Sequence, residues 1–235
     1  MFSIRSIQLP EKDYLTTLSF RTIGNFMVLT SLYLIGKTLY QPVFEEIRFF
    51  INDITRTRYT VEAPPPGTEP EPGRFARMFG EGRLELLVPE DPEYSLVIPK
   101  IGANARIVPN VNAGSEEAYQ EALKRGIAHA AGTAFPGEGG HIFLFAHSTD
   151  YIWNIGSYNA VFYLLYKLEP GDEVNVFYRG KRHRYTVREK KIIEPSDVHY
   201  LTRKTERETL SLQTCWPPGT TLKRLIVHAD AMTTE

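Results

Sequence analysis

Short apolar runs separated by turn residues fill the chain from Leu84 onward, and this pattern constrains the fold more than any other feature of the sequence. The runs are LELLV, YSLVI, ARIVPNV, HIFLFA, EVNVFY, RYTV, TLSLQT and RLIV. Several short strands at such spacing are typical of a β-barrel or a β-sandwich. Helical patterns interrupt them twice, in SEEAYQEALKRG with Ser115 as N-cap and in AVFYLLYKL. The sequence therefore predicts an all-β domain with short helices over residues 83–235.

An apolar stretch near the amino terminus predicts a membrane anchor. Between Arg21 and Lys37 runs TIGNFMVLTSLYLIG, about fifteen uncharged residues, where a bilayer span needs roughly twenty. If Lys37 extends its ammonium group to the interface, the span continues to Phe44 and becomes long enough. We therefore expect a cytoplasmic tail over residues 1–21 and a transmembrane anchor over residues 22–44. The alternative is an ordinary buried amphipathic helix.

A proline-rich segment, VEAPPPGTEPEPG at residues 61–73, separates the anchor from the predicted strands. Its prolines and acidic residues cannot bury apolar surface, and they favour an extended, semi-rigid conformation. Residues 45–82 are therefore predicted to form a stalk or linker. Basic residues before the anchor favour an inside amino terminus, which would leave everything after the anchor outside the cytoplasm.

Charge and cysteine content exclude some functions. The formal net charge of -1 gives no overall attraction to nucleic acid, so a polyanion partner is not expected. The single cysteine, Cys215, cannot form an internal disulfide. It is either a buried structural thiol or a reactive one.

Strand alternation predicts that Cys215 and Arg224 emerge on the same surface of two adjacent strands. In TLSLQTC, Leu210 and Leu212 share one face, and Cys215 lies on the other. In the next run, Arg224 lies on the face opposite to Leu225. If the leucines mark the core, the thiol and the guanidinium both point outward. A nearby cation favours the thiolate, which is the nucleophilic form, so Cys215 is a candidate nucleophile.

A cysteine nucleophile in acyl transfer also needs a proton carrier for the leaving group, and histidine is the usual choice. Six histidines compete for this role. His147 ends the apolar run GHIFLFAHSTD, so a core strand would carry it to the rim of the barrel. His129 and His141 flank a glycine-rich turn and are expected to be structural. His147 is therefore the candidate acid and base.

Taken together, these motifs resemble those of the sortases, which are cysteine transpeptidases of the bacterial surface. The resemblance rests on TLSLQTC followed by an arginine nine positions after the cysteine, and on FPGEGGHIFLFAHS, LEPGDEV and IPKIG. It covers roughly Leu84 to Met232 and keeps the family order His, Cys, Arg. Ala146 stands where the family commonly has glycine, and His141 where it usually has asparagine. The resemblance implies a closed sortase-type β-barrel, preceded by an N-terminal membrane helix.

The resemblance also implies roles for individual residues. Cys215 would attack the carbonyl of the threonine in an LPxTG-like sorting signal and form a thioacyl intermediate. His147 would protonate the departing amine and later deprotonate the incoming one. Arg224 would bind the substrate backbone or stabilise the oxyanion. The residues expected to contact the substrate are Thr214, Trp216, Ala146 and Ser148.

The partners implied by the resemblance are surface proteins that carry a sorting signal and an amine acceptor, either a cell-wall precursor or a pilin lysine. The enzyme would lie in the plasma membrane with a single pass and an extracytoplasmic catalytic domain. No cofactor and no metal are expected. A calcium site built from Glu194, Asp197, Asp172 and Glu173 is the less favoured reading of those carboxylates.

Three other functions compete with this reading. An L,D-transpeptidase would show an SHGC-type motif, but Gln213 and Thr214 precede the cysteine here. A papain-like peptidoglycan hydrolase would place its cysteine before the histidine and at the start of a helix. A membrane-tethered β-barrel binding module would make Cys215 incidental. A binding module should lose nothing on alkylation of the thiol, which separates it from the enzymes.

Overall fold

The computed structural model describes residues 11–55, 57–61, 84–148 and 161–232. The chain divides into two compact units, Met1–Phe44 and Glu45–Glu235. The proline-rich segment predicted as a stalk lies outside the described residues, apart from Val61. The assignment of residues 45–82 to a linker therefore stays a prediction.

Helix α1, Glu11–Ile54, carries the apolar amino-terminal stretch. Residues Asp13–Lys37 are long and apolar enough to cross a membrane. This window begins before the span at residues 22–44 that we predicted from the sequence. Large apolar side chains on this part of the helix are exposed, including Phe20, Phe26 and Leu29. So many exposed apolar side chains are unfavourable in water, and they are consistent with contact to lipid.

Eight strands close into a barrel, which confirms the predicted fold class. Their bounds are β3 Tyr94–Ile98, β4 Ala103–Val111, β5 Ile127–Ala130, β6 His141–Phe145, β7 Glu173–Tyr178, β8 Lys181–Ile193, β9 Thr209–Trp216 and β10 Lys223–Ala231. In the order of their neighbours they are β10, β8, β7, β3, β4, β5, β6 and β9, and β9 then pairs with β10. Closure leaves the barrel without an unpaired edge strand.

The interior of the barrel is filled by alternate residues of each strand. Leu210 and Leu212 of β9 are fully buried in the core, as are Val227 and Ala229 of β10. The residues between them face outward, because successive side chains of a strand point to opposite sides. The predicted alternation of TLSLQTC is therefore confirmed for its apolar side chains.

A small parallel sheet packs outside the barrel. It consists of β1, Arg58–Val61, and β2, Leu84–Leu87. Val61 and Leu87 pack against Val97 and Phe177, which are buried on the outward faces of β3 and β7. The predicted run LELLV is thus a strand, but it belongs to this sheet instead of the barrel.

Two of the short helices between strands lie where the sequence predicted them, and a third was not predicted. Helix α2, Glu116–Leu123, begins at Ser115, whose hydroxyl accepts a hydrogen bond from the Ala118 N–H at 3.4 Å. A 3-10 helix, Tyr163–Lys167, occupies the predicted run AVFYLLYKL. Helix α3, His199–Thr202, lies in the connection between β8 and β9. We use the name cover segment for residues 194–208 of this connection.

Candidate active site

Strands β6, β9 and β10 are neighbours and bring the three candidate residues into one row. β6 and β9 run parallel with Phe145 opposite Gln213, and the Ala146 N–H donates to the Gln213 carbonyl at 3.1 Å. His147 is therefore level with Cys215, two residues beyond the end of β6. On the other side of β9, Arg224 of β10 lies directly opposite Cys215. Neighbouring strands are about 4.8 Å apart, so the histidine and the arginine flank the cysteine.

Cys215 is half-buried near the end of β9. Burial raises the pKa of its thiol, and the Arg224 guanidinium opposes that change. The net direction differs from what the arginine alone predicts, because removing water from the thiolate outweighs attraction by one partly exposed cation. The thiol is thus mainly protonated at neutral pH in the free protein.

The Arg224 guanidinium is held at the start of β10 by the loop that connects it to β9. Nη1 donates to the carbonyl oxygens of Thr221 and Lys223, both at 3.1 Å. Among the described residues, these are the hydrogen bonds that its side chain makes. A guanidinium carries five N–H donors in a rigid planar group, so most of them remain available to a ligand.

His147 lies where β6 leaves the barrel, as the sequence predicted. Its backbone carbonyl accepts a hydrogen bond from the Phe162 N–H at 3.3 Å. Burial lowers the pKa of its imidazole below the ordinary value. The imidazole is therefore neutral at neutral pH, so it can accept a proton from the neighbouring thiol.

The four residues expected to contact substrate lie close to this row, and three of them are buried. Thr214 is 4% exposed, and its hydroxyl donates to the Ala146 carbonyl at 2.9 Å. Ala146 and Ser148 are also buried. Trp216 packs partly against the core and against the Tyr166 ring, at 5.5 Å between centroids. A contact between any of the four and a substrate stays a prediction.

The carboxylates considered for a calcium site are engaged in separate ion pairs. Asp172 binds Lys100 at 2.9 Å, and Glu173 binds Arg182 at 2.8 Å. Glu194 binds Lys223 at 3.2 Å, and Asp197 contacts His199. Over the described ranges, no group of three or more carboxylate, histidine or cysteine side chains has the spacing of a metal site.

One polar group near the row was not predicted from the sequence. Ser211 of β9 accepts or donates hydrogen bonds with both His141 of β6 and His228 of β10, each at 2.8 Å. The alternation placed Ser211 on the outward face, but nothing in the strand pattern predicted that this part of the face would be covered. The signal in the sequence is only the presence of two imidazoles and a hydroxyl at matching positions of three strands.

Comparisons with known proteins give one consistent family. The family model described as the Sortase domain matches residues 96–232, more than half of the chain. Sortase D from Bacillus subtilis (strain 168) is 29% identical over 141 residues, which cover 59% of this chain and 63% of that protein. The match thus spans less than two thirds of the length of this relative.

Solved sortase structures share the fold. Sortase C-1 from Actinomyces oris superposes with a TM-score of 0.51 and 26% identity, covering 62% of this chain and 76% of that one. Sortase C1 of GBS pilus island 1 has the same TM-score and identity, covering 60% of this chain and 64% of that one. The matched region contains the row of His147, Cys215 and Arg224 on a closed eight-stranded barrel. The chain belongs to the sortase family.

Proposed function

We propose that this protein is a transpeptidase that cleaves an LPxTG-like sorting signal through Cys215 and joins the acyl part to an amine. The observation that carries the proposal is the row across three neighbouring strands, in which His147 and Arg224 flank the only thiol of the chain. Membership of the sortase family supports the same reaction class. The details of substrate and acceptor rest on the resemblance of the motifs.

In the first half of the reaction, the Cys215 sulfur attacks the carbonyl carbon of the threonine in the sorting signal. The thiol proton passes to His147, and the carbonyl oxygen of the tetrahedral intermediate carries the negative charge. His147 then gives the proton to the leaving glycine amine as the C–N bond breaks. The products of this half are a thioester on Cys215 and a free amino-terminal glycine.

Arg224 supplies fixed positive charge beside the reacting atoms. Its guanidinium is oriented by two backbone carbonyls of its own loop, so little reorganisation is needed when charge develops on the substrate oxygen. The remaining N–H donors bind either that oxygen or the backbone of the sorting signal. The pull of Arg224 on the pKa of Cys215 supports an electrostatic role at this position.

In the second half, an amine from a cell-wall precursor or a pilin lysine attacks the thioester. His147 takes a proton from that amine, an amide bond forms, and the Cys215 thiol is regenerated. Thr214 is proposed to position His147, because its hydroxyl holds the Ala146 carbonyl next to it. Trp216, Ala146 and Ser148 remain the other candidates for substrate contact.

The pKa directions predict the pH dependence of this reaction. Burial lowers the pKa of His147 and raises that of Cys215, so the two titrations move apart from their ordinary values of 6.5 and 9.0. A bell-shaped profile of kcat/KM should therefore have its acid limb below pH 6.5 and its alkaline limb above pH 9.0. The two pKa values belong to the pair, since neighbouring groups titrate together.

We further propose that α1 anchors the enzyme in the plasma membrane through residues 22–44, with residues 1–21 in the cytoplasm and the barrel outside. The exposed apolar surface of Asp13–Lys37 supports a membrane-embedded helix. Basic residues ahead of it favour this orientation. Cysteine labelling of the purified membrane from each side, with Cys215 as the single target, would test it.

The proposed chemistry is tested by incubating the full chain in detergent with a library of LPxTG-like peptides and an amine acceptor. Mass spectrometry should detect an acyl adduct on Cys215 and an amine-dependent product, and both should be absent from Cys215→Ala. The burial that raises the pKa of Cys215 is the one observation that favours an incidental thiol in a binding module. If no peptide acylates Cys215 and the folded protein resists alkylation, the binding module becomes the better account.

A further inference from the structure

A buried chain of three polar side chains lies on the outward face of the barrel. The Ser211 hydroxyl is 2.8 Å from His141 Nε2 and 2.8 Å from His228 Nδ1. All three residues are at most 5% exposed. His228 Nε2 is buried without a hydrogen-bond partner among the described residues. His141 Nδ1 is buried and makes no hydrogen bond of normal geometry, although the Arg203 backbone lies near enough to raise the pKa of His141. A buried imidazole with an unpaired ring nitrogen costs free energy, so the presence of two such rings requires a structural reason.

The three hydrogen-bonded side chains lie on the same strands, and on the same outward face, as the row of His147, Cys215 and Arg224, which we call the catalytic row. Ser211 lies opposite His228, and Cys215 lies opposite Arg224, in the same pairing of β9 with β10. The two pairs are four residues apart, or about 13 Å along the strands. Ile226, the outward residue between His228 and Arg224, is fully buried, whereas Arg224 is half-exposed. Whatever covers His228 therefore extends toward the catalytic row.

The cover segment lies over the polar chain. The Tyr200 ring stacks on the His228 imidazole, with 5.4 Å between centroids and an interplanar angle of 29°. Burial is the main cause that lowers the pKa of His141 and of His228, and the Arg203 guanidinium lowers both further. The Arg203 backbone opposes this at His141 through a hydrogen bond that raises the pKa. The cover segment is also tied to the start of β9 by the hydroxyls of Thr205 and Thr209, at 3.2 Å.

We propose that the His141–Ser211–His228 chain seats the cover segment next to the Cys215–Arg224 row, and that protonation of either imidazole releases the segment and weakens substrate binding. The effect on substrate rests on the proposed transpeptidase function. The release of the segment does not, since it depends only on the three side chains and the residues packed on them. His141, Ser211 and His228 are positioning residues in this proposal.

The hydrogen-bond pattern explains why the His141–Ser211–His228 arrangement requires neutral imidazoles. A serine hydroxyl between two histidines donates its hydrogen to one ring and accepts an N–H from the other. Protonation of the accepting ring makes both rings donors, and the Ser211 hydrogen then has no acceptor in a buried site. On His228 the added charge also faces Arg188 of β8 and Arg203 of the cover segment, and Glu189 of β8 opposes them. On His141 it faces the Arg203 guanidinium, and the Arg203 backbone opposes that effect.

The direction of the pH effect follows from burial. Burial lowers the pKa of both His141 and His228 from 6.5 to about 4. Each histidine therefore stabilises the bound position of the cover segment fully above pH 6.5, and this contribution is lost as the pH falls toward 4. If a released histidine regains its ordinary pKa, the equilibrium for release rises about tenfold per histidine between pH 7.5 and pH 5.5.

The test is hydrogen–deuterium exchange of the full chain in detergent, measured by mass spectrometry at pH 7.5 and pH 5.5 and corrected for the chemical exchange rate at each pH. Peptides from the cover segment should exchange about tenfold faster or more at pH 5.5, while β7 serves as the internal reference. The variant with both His141→Gln and His228→Gln should lose this acid response. His183→Gln is the matched control, because this histidine of β8 is not one of the three hydrogen-bonded side chains. This variant should keep the response.

A second variant keeps the test decisive if the double variant does not fold. Tyr200→Ala removes only the ring that stacks on His228, and it should accelerate exchange of the cover segment already at pH 7.5. In parallel, KM for a sorting-signal peptide should rise between pH 7.5 and pH 5.5 more than kcat falls, and Tyr200→Ala should raise KM at pH 7.5. A merely structural role would not divide the effect between KM and kcat in this way.

The outcomes separate the two proposals. The proposal that the three side chains hold the cover segment is overturned if its corrected exchange is equal at both pH values. It is also overturned if the acid response persists in the variant that lacks the two imidazoles. Wild-type protein that turns over no peptide but shows the acid-dependent exchange would overturn the proposed function and leave this proposal intact. Acid-dependent exchange with an unchanged KM would overturn the link between release of the cover segment and substrate binding.

Discussion

The two ends of strand β9 carry polar groups that are satisfied to very different degrees. Just before its first residue, the Glu208 carboxylate accepts the N–H groups of Gly137 and Gly139, at 2.8 and 3.2 Å, and the Tyr185 hydroxyl at 2.6 Å. At its other end, Cys215 is half-buried beside an arginine that, among the described residues, is held by carbonyl groups of its own loop. One end uses its polar atoms to fix the backbone, and the other leaves them available to a ligand.

This difference separates stability from chemistry along one strand. A carboxylate that accepts three hydrogen bonds holds a turn and two strands together, so its removal should cost stability. The thiol and the guanidinium make few bonds within the protein, so their removal should cost activity while leaving the fold intact. Substitutions at the two ends should therefore give opposite patterns of effect.

The largest expected effect is the loss of activity in Cys215→Ala. Removing the nucleophile should lower kcat/KM by at least about a thousandfold, because no thioester can form. The midpoint of thermal unfolding should change little, since the side chain is small and lies on the outward face. Peptide turnover and calorimetry of the same preparation check both parts. Residual turnover near the wild-type level would contradict the assignment of the nucleophile.

The next largest effect is expected at the arginine. Arg224→Gln should lower kcat/KM by roughly a hundredfold, because a fixed charge beside the developing oxyanion is lost. Arg224→Lys should recover only part of this, since an ammonium lacks the planar set of donors. Lys223→Gln is the matched control: this neighbouring cation pairs with Glu194 and should leave turnover nearly unchanged. An equal loss in both variants would point to general charge instead of Arg224.

The sequence predicted the row of His147, Cys215 and Arg224 better than it predicted the surface around it. Alternation in TLSLQTC and RLIV was sufficient to place Cys215 and Arg224 together, because the buried leucines fix the register of both strands. The strand Ile127–Ala130 was missed, since IAHA has one bulky apolar residue and no clear alternation. Burial of Ser211 on the outward face was also missed. It depends on the cover segment, which is distant in sequence and has no strand period of its own.

The contribution to stability of the amino-terminal end of β9 is tested by Glu208→Gln. Both glycine N–H groups donate to the same carboxylate oxygen, so the amide oxygen can keep them while its NH₂ group faces the Tyr185 hydroxyl. The charge and the bond accepted from Tyr185 are lost, so we expect a loss of about 1–2 kcal/mol in the free energy of unfolding. Activity per folded molecule should remain. Glu138→Gln is the matched control, because this glutamate of the same turn accepts a single exposed N–H from Phe135 at 3.2 Å. Denaturant unfolding monitored by circular dichroism provides the comparison.

The smallest expected effect distinguishes backbone strain from packing in the turn that Glu208 holds. Gly137 and Gly132 have nearly the same positive φ, 86° and 83°. A Cβ at Gly137 would lie 2.9 Å from His183 Cε1, whereas none of the described atoms lies within 4 Å at Gly132. Gly132→Ala should therefore cost about 1 kcal/mol from the backbone alone. Gly137→Ala should cost that amount and an additional contribution from displacing the His183 ring.

The His183 ring stands at the end of a side chain that can rotate, so this additional contribution should stay below about 1 kcal/mol. The double variant Gly137→Ala with His183→Ala removes the obstacle and should return the cost of the glycine substitution to that of Gly132→Ala. Denaturant unfolding of the three variants and of His183→Ala measures the coupling directly. A coupling near zero would mean that backbone strain alone limits this turn. In that case Glu208 stabilises the end of β9 by holding the glycine backbone in its left-handed conformation, and side-chain packing contributes little.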